Sequence, residues 1–256
     1  MLLVATVSVS AQEPFRKWNG RKCAVVLTYD DALNVHLDKV VPALDAHGLK
    51  GTFYLVASSP VVAGRLGEWR KIAQDGHELG NHTLNHPCDG SLPGRSWVSP
   101  ETDLSRYTVE RAVQEIRTTN TLLKAIDGKT ERTFAYPCGD FTIGGKPYYD
   151  VLKDDFAGAR GVRSGYLPAR SVDLSDINAF AQDGATAAQM IAQIEEAERA
   201  GSFTVFLFHG VGGEHPMNVA TEEHQKLLDY LKKREKDIWV ATMVDVAQYI
   251  RKEQGK

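Results

Sequence analysis

The stretch CAVVLTYDD at residues 23–31 decides the fold of this chain, because an apolar run leads directly into two carboxylates. The first six residues of the stretch, Cys23–Thr28, have the pattern of a strand that is apolar on both faces. Such strands, when helices join them, imply a parallel sheet that is covered on both sides. This stretch therefore predicts a parallel sheet, and the rest of the sequence indicates whether that sheet is open or closed into a barrel.

Short apolar runs alternate with amphipathic stretches along the rest of the chain. The predicted strands are Cys23–Thr28, Gly51–Val56, Glu78–Gly80, Thr133–Tyr136, Gly158–Val162, Asn178–Phe180, Phe203–Phe208 and Ile238–Thr242. The predicted helices are Val35–Ala46, Glu68–Gln74, Val109–Ile126, Ala187–Ala200, Glu222–Glu235 and Val244–Lys252. This alternation predicts an α/β fold, a distorted (β/α) barrel of about seven parallel strands in a single domain. A doubly wound open sheet is the alternative, and no glycine-rich phosphate loop follows the first strand.

The composition excludes some partners and suggests export. A net charge of −3 over 256 residues argues against a nucleic-acid partner, which normally requires a surplus of Lys and Arg. No apolar run approaches the roughly 18 residues that span a bilayer. The opening MLLVATVSVSA is apolar and uncharged, so we predict residues 1–15 to be a signal-peptide remnant or a disordered N-terminus. Residues 16–256 would form the folded domain, and the protein would be secreted or periplasmic.

Three predicted strands lead into side chains suited to metal chemistry. The first runs into Asp30 and Asp31, the third into His82 and His86, and the most apolar strand into His209. Functional residues of parallel β/α folds gather at the carboxyl ends of strands. A spacing of four would let the two histidines face one direction across a single helical turn, and with one carboxylate they would leave positions open for water and substrate. The alternative makes the two aspartates an N-cap and a first-turn acid of the next helix.

Three motifs resemble those of the polysaccharide deacetylase family, the family 4 carbohydrate esterases that share the NodB homology domain. Thr28–Asp31 (TYDD) resembles the first motif, His82–His86 (HTLNH) the metal-binding second motif, and Leu207–His209 (LFH) the last motif. The resemblance covers about residues 21–250, so residues 16–256 would be the catalytic domain.

The resemblance implies a role for each matching residue. Asp31, His82 and His86 would hold a divalent metal, zinc before cobalt, nickel or manganese. Asp30 would be the general base towards the attacking water, and His209 the general acid towards the leaving group. The family's third motif maps to Phe134–Asp140 (FAYPCGD). The residues that would bind the substrate or its oxyanion are Tyr136, Pro137, Cys138, through its backbone N–H, and Leu207, which would line the acetyl pocket.

Two departures from the family pattern concern the base and the acid. Ala135 stands where the third motif usually carries an arginine that orients the base, and Arg160 or Arg163 could supply that charge instead. The fourth motif, an aspartate that tunes the catalytic histidine, is not legible. The candidates for it are Asp173, Asp176 and Asp183.

The remaining cysteines, histidines and one tryptophan give weaker signals. Cys88 and Cys138 flank the candidate motifs, and both a disulfide and two free thiols remain open for them; Cys23 is expected to be buried. Trp97, in the long polar loop 87–107, could stack on a sugar ring, or it could be simply an exposed or a core residue. His215 follows a glycine-rich loop and could contact substrate. The histidines expected at the surface or satisfied by neighbours are His36, His47, His77 and His224.

The function implied is hydrolysis of acetyl groups from an N- or O-acetylated carbohydrate of the chitooligosaccharide, peptidoglycan or xylan type. A hydrolase of the same fold acting on a non-sugar amide or C–N bond is the first alternative, and a catalytically weak carbohydrate-binding relative is the second. A non-haem iron oxygenase could use the same kinds of ligand, although its Asp and His usually stand as a close pair on a double-stranded β-helix.

Overall fold

The structure is a computed structural model and describes residues 18–255 of the chain. The predicted N-terminal segment at residues 1–15 lies outside the described residues. The strands are β1 (Cys23–Asp30), β2 (Thr52–Leu55), β3 (Glu78–Asn81), β4 (Phe134–Ala135), β5 (Thr142–Ile143), β6 (Lys146–Pro147), β7 (Ala159–Arg160), β8 (Phe180–Ala181), β9 (Phe203–Phe208), β10 (Gly210–Val211), β11 (Asn218–Val219) and β12 (Ile238–Ala241). The helices are α1 (Val41–Ala46), α2 (Pro60–Gly64), α3 (Leu66–Gln74), α4 (Val109–Asp127), α5 (Ala187–Ala200), α6 (Thr221–Lys233) and α7 (Met243–Glu253).

The main sheet has eight strands in the order β7-β4-β3-β2-β1-β9-β8, with β12 also paired to β1. Every pairing in this sheet is parallel. An isolated bridge between Arg160 and Ile177 joins the β7 end of the sheet to the segment just before β8. The sheet therefore curls into an incomplete barrel, which confirms the predicted barrel-like fold and makes the open doubly wound sheet wrong.

β1 is the central strand and has neighbours on both edges along most of its length. Its first half, residues 23–26, pairs with β12, and its last three residues pair with β2. Its other edge pairs with β9 from Ala24 to Tyr29. All eight residues of β1 are buried, as the apolar stretch at residues 23–28 predicts for a strand covered on both faces.

Alternate residues of β1 contribute to two different hydrophobic cores. Val25 and Leu27 pack in the layer between the sheet and helices α1, α3, α5 and α6. Ala24 and Val26 pack in the interior of the barrel, where Met243 and Ile250 of α7 close one end. A third core of aromatic residues lies beneath α4 and around β4. These cores fill the barrel, and the cavity described below opens at the end formed by the strands' carboxyl termini.

The structure changes several predicted boundaries. The stretch predicted as one helix, Val35–Ala46, begins with a π-helical turn at His36–Val40 before α1. The N-cap residue of this helix is Val35, and no side chain makes a capping hydrogen bond there. The alternative in which Asp30 and Asp31 cap the helix is therefore wrong. The strands predicted at 133–136, 158–162 and 178–180 shrink to the two-residue strands β4, β7 and β8. Among the described residues, no helix is both long and apolar enough to cross a membrane.

Candidate active site

Side chains from the carboxyl ends of four strands line one cavity of about 770 Å³ at the open end of the barrel. Asp30 ends β1, His82 follows β3, Tyr136 follows β4 and His209 follows β9. The remaining lining residues are Asp31, Val56, Ser59, His86, Trp97, Cys138, Val162, Ala181, Leu207, His215, Pro216 and Met217.

Asp31, His82 and His86 present a set of donors that fits a divalent metal. Asp31 Oδ1 lies 3.5 Å from His82 Nε2 and 3.5 Å from His86 Nε2. Asp31 Oδ1 is also buried without a hydrogen-bond partner in the described chain. A buried carboxylate oxygen without a partner is costly, and a cation between these atoms would satisfy it. Two imidazoles and one carboxylate are an ordinary ligand set for zinc and similar ions.

Both histidines of this set have their second ring nitrogen occupied. His82 Nδ1 lies 2.9 Å from the Ala135 carbonyl oxygen, so the ring N–H donates there and leaves the Nε2 lone pair facing Asp31. His86 Nδ1 lies 3.6 Å from the Cys88 sulfur, the distance of a weak hydrogen bond to sulfur. Partners of this kind fix the tautomer and the ring orientation that a metal requires.

The segment from His82 to His86 is a loop, and the predicted helical turn is wrong. Asn81 Oδ1 accepts from the Thr83 backbone N–H at 2.8 Å, and Thr83 Oγ1 accepts from the His86 N–H at 2.9 Å. Thr83 and His86 have φ angles of 68° and 52°, which no helix contains. The polar side chains at 81 and 83 bend the backbone so that both imidazoles face Asp31.

Arg160 supplies the charge that Ala135 cannot. Its guanidinium forms an ion pair with Asp30 Oδ2, and both side chains are almost completely buried. Ala135 and Arg160 are directly opposed partners of β4 and β7, so the positive charge has moved one strand along the sheet. Arg163, the other predicted candidate, pairs with Asp176 and is largely exposed.

The environment sets the protonation of Asp30 and His209, which lie at the ends of the neighbouring strands β1 and β9. Burial alone would raise the pKa of Asp30, but the Arg160 charge and the nearby His82 and His209 hold it below its usual value. Burial lowers the pKa of His209, against the carboxylates of Asp30 and Asp31, which raise it. Asp30 is therefore suited to accept a proton at neutral pH.

His209 lies against a second histidine rather than an aspartate. Its ring stacks on that of His215 with the centroids 4.5 Å apart and the planes at 12°. The Nε2 atoms of both rings lie 3.8 Å from Asp31 Oδ2. The three aspartates predicted as tuning candidates bond elsewhere: Asp173 to Ser175, Asp176 to Arg163 and Asp183 to the Asn218 backbone N–H.

A disulfide between Cys88 and Cys138 ties the loop of His82 and His86 to the turn after β4. Arg95 reinforces this connection through its ion pair with Asp140 and a 3.3 Å bond to the Cys138 carbonyl. The Cys138 backbone N–H has no hydrogen-bond acceptor among residues 18–255, which leaves it available to a ligand. Cys23 is the free, buried cysteine, as the sequence indicated.

The other predicted substrate-binding residues surround this turn. Tyr136 and Leu207 line the cavity, and the Tyr136 hydroxyl donates to the Ser175 carbonyl at 2.7 Å. Pro137 is buried at the start of the turn and is not part of the cavity lining. Trp97 lies on the cavity rim with 64% of its surface exposed, so it is not a packing residue.

Backbone strain concentrates at this site. Seven non-glycine residues in the described chain have positive φ, and six of them line the cavity or adjoin a lining residue. These six are Asp31, Ala32, Thr83, His86, Cys138 and Glu214. Left-handed backbone at non-glycine residues costs free energy and persists where the surroundings enforce it, which is typical of functional sites.

Of the histidines expected at the surface or satisfied, none reaches the cavity. His36, His77 and His224 are buried, and each has a hydrogen-bond partner; His47 bonds to Asp229. His215, by contrast, belongs to the centre of the site, and the sequence indicated this only through the glycine-rich turn before it.

The fold and the site together define a class of protein, a parallel β/α barrel with a His-His-Asp set that could hold a metal at the carboxyl ends of its strands. A model of the family described as polysaccharide deacetylase matches residues 17–144, half of the 256-residue chain. The chain belongs to the polysaccharide deacetylase family. Together with the parallel sheet, this membership makes the iron-oxygenase alternative wrong.

Two curated proteins and one solved structure illustrate the similarity. The chain is 33% identical over 130 residues to YlxY, an uncharacterised protein of Bacillus subtilis strain 168, covering 50% of this chain and 35% of that protein. It is 27% identical over 112 residues to a chitooligosaccharide deacetylase of Rhizobium leguminosarum bv. trifolii, covering 42% and 51%. The alignments thus span about a third to a half of these relatives' lengths.

The structural similarity extends over nearly the whole chain. A Mycobacterium smegmatis protein classed with the polysaccharide deacetylases superposes with a TM-score of 0.63 at 16% identity, covering 97% of this chain and 96% of that one. At this identity the superposition shows a common fold.

Proposed function

We propose that this protein is a metal-dependent deacetylase that removes acetyl groups from N- or O-acetylated carbohydrate. The observation that carries the proposal is the convergence of three metal donors with Asp30 and His209 in one cavity. Family membership supports the reaction class, and the chitooligosaccharide deacetylase relative supports a sugar substrate.

The proposed metal ligands are Asp31, His82 and His86, and zinc suits this donor set best. A divalent cation bound there would act as a Lewis acid, polarising the acetyl carbonyl and lowering the pKa of a bound water towards about 7. Cobalt, nickel and manganese are the alternatives that metal analysis of the purified protein would identify.

The chain's own groups would carry out the proton transfers. Asp30, ionised beside Arg160, would accept a proton from the attacking water. The Cys138 backbone N–H, which has no acceptor in the described chain, would donate to the developing oxyanion. His209, which also lines the cavity, would donate a proton to the departing amine or alkoxide. Leu207, buried in the cavity wall, would contact the acetyl methyl group.

The exposed Trp97 at the cavity rim supports a sugar substrate, because aromatic rings stack on the apolar faces of pyranose units. The apolar walls formed by Val56, Val162 and Met217 favour the second candidate, hydrolysis of a non-sugar amide. The Cys88–Cys138 disulfide supports the further proposal that the protein is secreted or periplasmic, since such bonds persist in oxidising compartments.

The test is an acetate-release screen with N-acetyl chitooligosaccharides, peptidoglycan fragments, acetylated xylan and simple aryl acetamides. We expect release from at least one carbohydrate, loss of release after chelation, and recovery with added Zn²⁺ or Co²⁺. Release from the aryl acetamides alone would favour the non-sugar amidase, and chelator-resistant release would refute the metal mechanism.

A further inference from the structure

We propose that His215 is a positioning residue that holds the His209 imidazole in the orientation needed for proton donation. The inference rests on the proposed function, in which His209 is the proton donor, and extends it to a residue outside the three motifs and outside residues 17–144. The observations behind it are the contacts that hold the His209 side chain in place.

The His209 ring makes no hydrogen bond to the described part of the chain. Only its main chain is fixed, through the carbonyl oxygen, which lies 2.8 Å from His36 Nε2. The ring contacts are the stack on His215 and the 3.8 Å approach to Asp31 Oδ2. An imidazole ring without a hydrogen bond must be oriented by packing, and the ring that packs parallel to His209 is that of His215.

The loop that carries His215 is built to keep its position. β10 and β11 form a short parallel pair at its base, and the Gly213 N–H donates to Asn218 Oδ1 at 2.8 Å. Glu214 has a φ of 71°, and its carboxylate accepts from the Asn34 side chain and from the Val35 N–H, each at 2.7 Å. These bonds tie the loop to the segment that follows Asp30 and Asp31.

Two positions in the loop require glycine because a side chain would not fit there. A Cβ at Gly210 would overlap the Gly213 carbonyl oxygen, and a Cβ at Gly212 would overlap the Thr221 hydroxyl. Gly212 also has a φ of 70°, and its carbonyl accepts from Lys39 Nζ at 2.6 Å. Tight packing of this kind indicates that the loop keeps one conformation, with His215 against His209.

The ring of His215 is itself anchored. Its Nδ1 lies 3.1 Å from the Met217 backbone nitrogen and 3.2 Å from the Met217 carbonyl oxygen. Its flat face, rather than a nitrogen atom, therefore contacts His209. The competing role for His215 is a ligand to a second cation, because the ligand atoms of Asp31, His209 and His215 lie within 4.8 Å of one another.

The first experiment compares His215→Ala with His215→Phe, which keeps the flat ring and removes the nitrogens. On an N-acetylated glycan we expect His215→Ala to lower kcat about 10- to 100-fold with KM within about twofold, because only proton donation is impaired. We expect His215→Phe to stay within about threefold of the parent kcat. An equal loss in both variants would overturn the stacking role.

A second substrate separates proton donation from general damage. The leaving group of 4-nitrophenyl acetate departs without a proton, so the His215→Ala defect on this ester should be at least about tenfold smaller than on the glycan. Equal defects on both substrates would mean that the ring serves only the loop's folding, and the proposal would be wrong.

Two readouts do not depend on activity. In protein labelled with ¹³C at histidine Cε1, the His209 resonance should shift and broaden in His215→Ala and stay nearly unchanged in His215→Phe. A His47→Gln control, remote from the cavity, should leave it in place. An unshifted resonance in His215→Ala would refute the stack even if no substrate were found.

Titration with Co²⁺ should give the same number of bound ions per protein in all variants. If both His215 variants lost one of two bound ions, His215 would be assigned to a second cation site instead.

Discussion

At the scale of single residues, the Arg160–Asp30 pair shows how the curl of the sheet creates the site. The strands β2, β3 and β4 separate β7 from β1 in the sheet order, so in a flat sheet the two side chains would lie far apart. The curl brings the guanidinium across the barrel onto the carboxylate, below the Tyr54 ring, whose centroid lies 5.1 Å away. Burying an ion pair of this kind costs desolvation free energy. Its benefit here is functional, because the Arg160 charge lowers the pKa of Asp30.

Replacing Arg160 should therefore change the pH profile. In Arg160→Met, Asp30 stays buried but loses the nearest cation, so its pKa should rise towards the value that burial favours. Because a base acts only when ionised, the acid limb of kcat/KM should move to higher pH. The control is Arg163→Met, which removes an exposed guanidinium and should leave that limb unchanged. A uniform fall in rate with an unshifted limb would contradict the pairing.

Substitutions at Asp30 and His82 should separate proton transfer from metal binding. Asp30→Asn should retain the metal and lose about 10²- to 10⁴-fold in turnover, because the site keeps its ligands but lacks a base. His82→Ala should lose both metal and turnover. Metal content by emission spectrometry, measured beside acetate release, tests both expectations, with the exposed Asp229→Asn as a control. A fully active Asp30→Asn would show that the base is another group.

At the scale of elements, the sequence predicts regular structure well where the hydrophobic pattern is long. α5 and β9 lie at their predicted residues, and α4 extends one residue past its predicted end. The short strands β4, β7 and β8 were predicted too long or displaced, because two residues are too few for any periodicity. The loop at His82–His86 was predicted as a helical turn, since the side chains of Asn81 and Thr83 control it and a spacing of four does not.

The candidate site was predictable where its residues adjoin a strong strand. Asp30, Asp31 and His209 follow β1 and β9 directly, and the structure brings them together at one end of the barrel. Arg160 and His215 could be named from the sequence only as candidates, Arg160 beside Arg163 and His215 as a possible substrate contact. Arg160 depends on the register of β4 against β7, and His215 on the path of a glycine-rich loop, neither of which has a local signal.

Removing the Cys88–Cys138 disulfide should weaken both folding and metal binding. The bond spans 50 residues, for which the loss of chain entropy in the unfolded state predicts about 4 kcal/mol of stabilisation. His86 would also lose its neighbouring sulfur, and loss of such an outer partner typically costs about 10-fold or more in metal affinity.

The test compares urea unfolding and Zn²⁺ titration for the parent and the Cys88→Ala/Cys138→Ala double variant. Treating the parent with a phosphine reductant should reproduce the loss of stability, although it leaves the Cys88 sulfur beside His86, and the same treatment should leave the double variant as it was. Equal metal affinity in all samples would mean that the disulfide stabilises the loops without supporting His86.

At the scale of the whole molecule, two buried histidines should make the fold sensitive to acid. Burial lowers the pKa of His36 and of His224 from the ordinary 6.5 to about 4. Their contribution to stability is then fully present above pH 6.5 and lost as the pH falls from there towards 4, where the unfolded chain binds protons that the folded chain does not.

Urea unfolding at pH 7, 5.5 and 4.5 should show this loss of unfolding free energy. His224→Gln, which can still bond to the Tyr29 hydroxyl, should reduce the pH dependence. The more exposed His47→Gln is the comparison variant. If His224→Gln kept the full pH dependence of the parent, His224 would not be one of the groups responsible.

The position of β1 at the centre of the sheet has a consequence for how the molecule folds. β1 is the first strand of the sheet in chain order, yet its longest pairing is with β9, and β12 also borders it. Closing contacts between strands so far apart in sequence costs loop entropy before it yields stability, so such topologies fold slowly. On the ribosome, the last three residues of β1 could pair early with β2, but the edge that pairs with β9 would wait until most of the chain had emerged. Asp30 and Asp31 would therefore meet His209 only after β9 has been synthesised and has paired with β1.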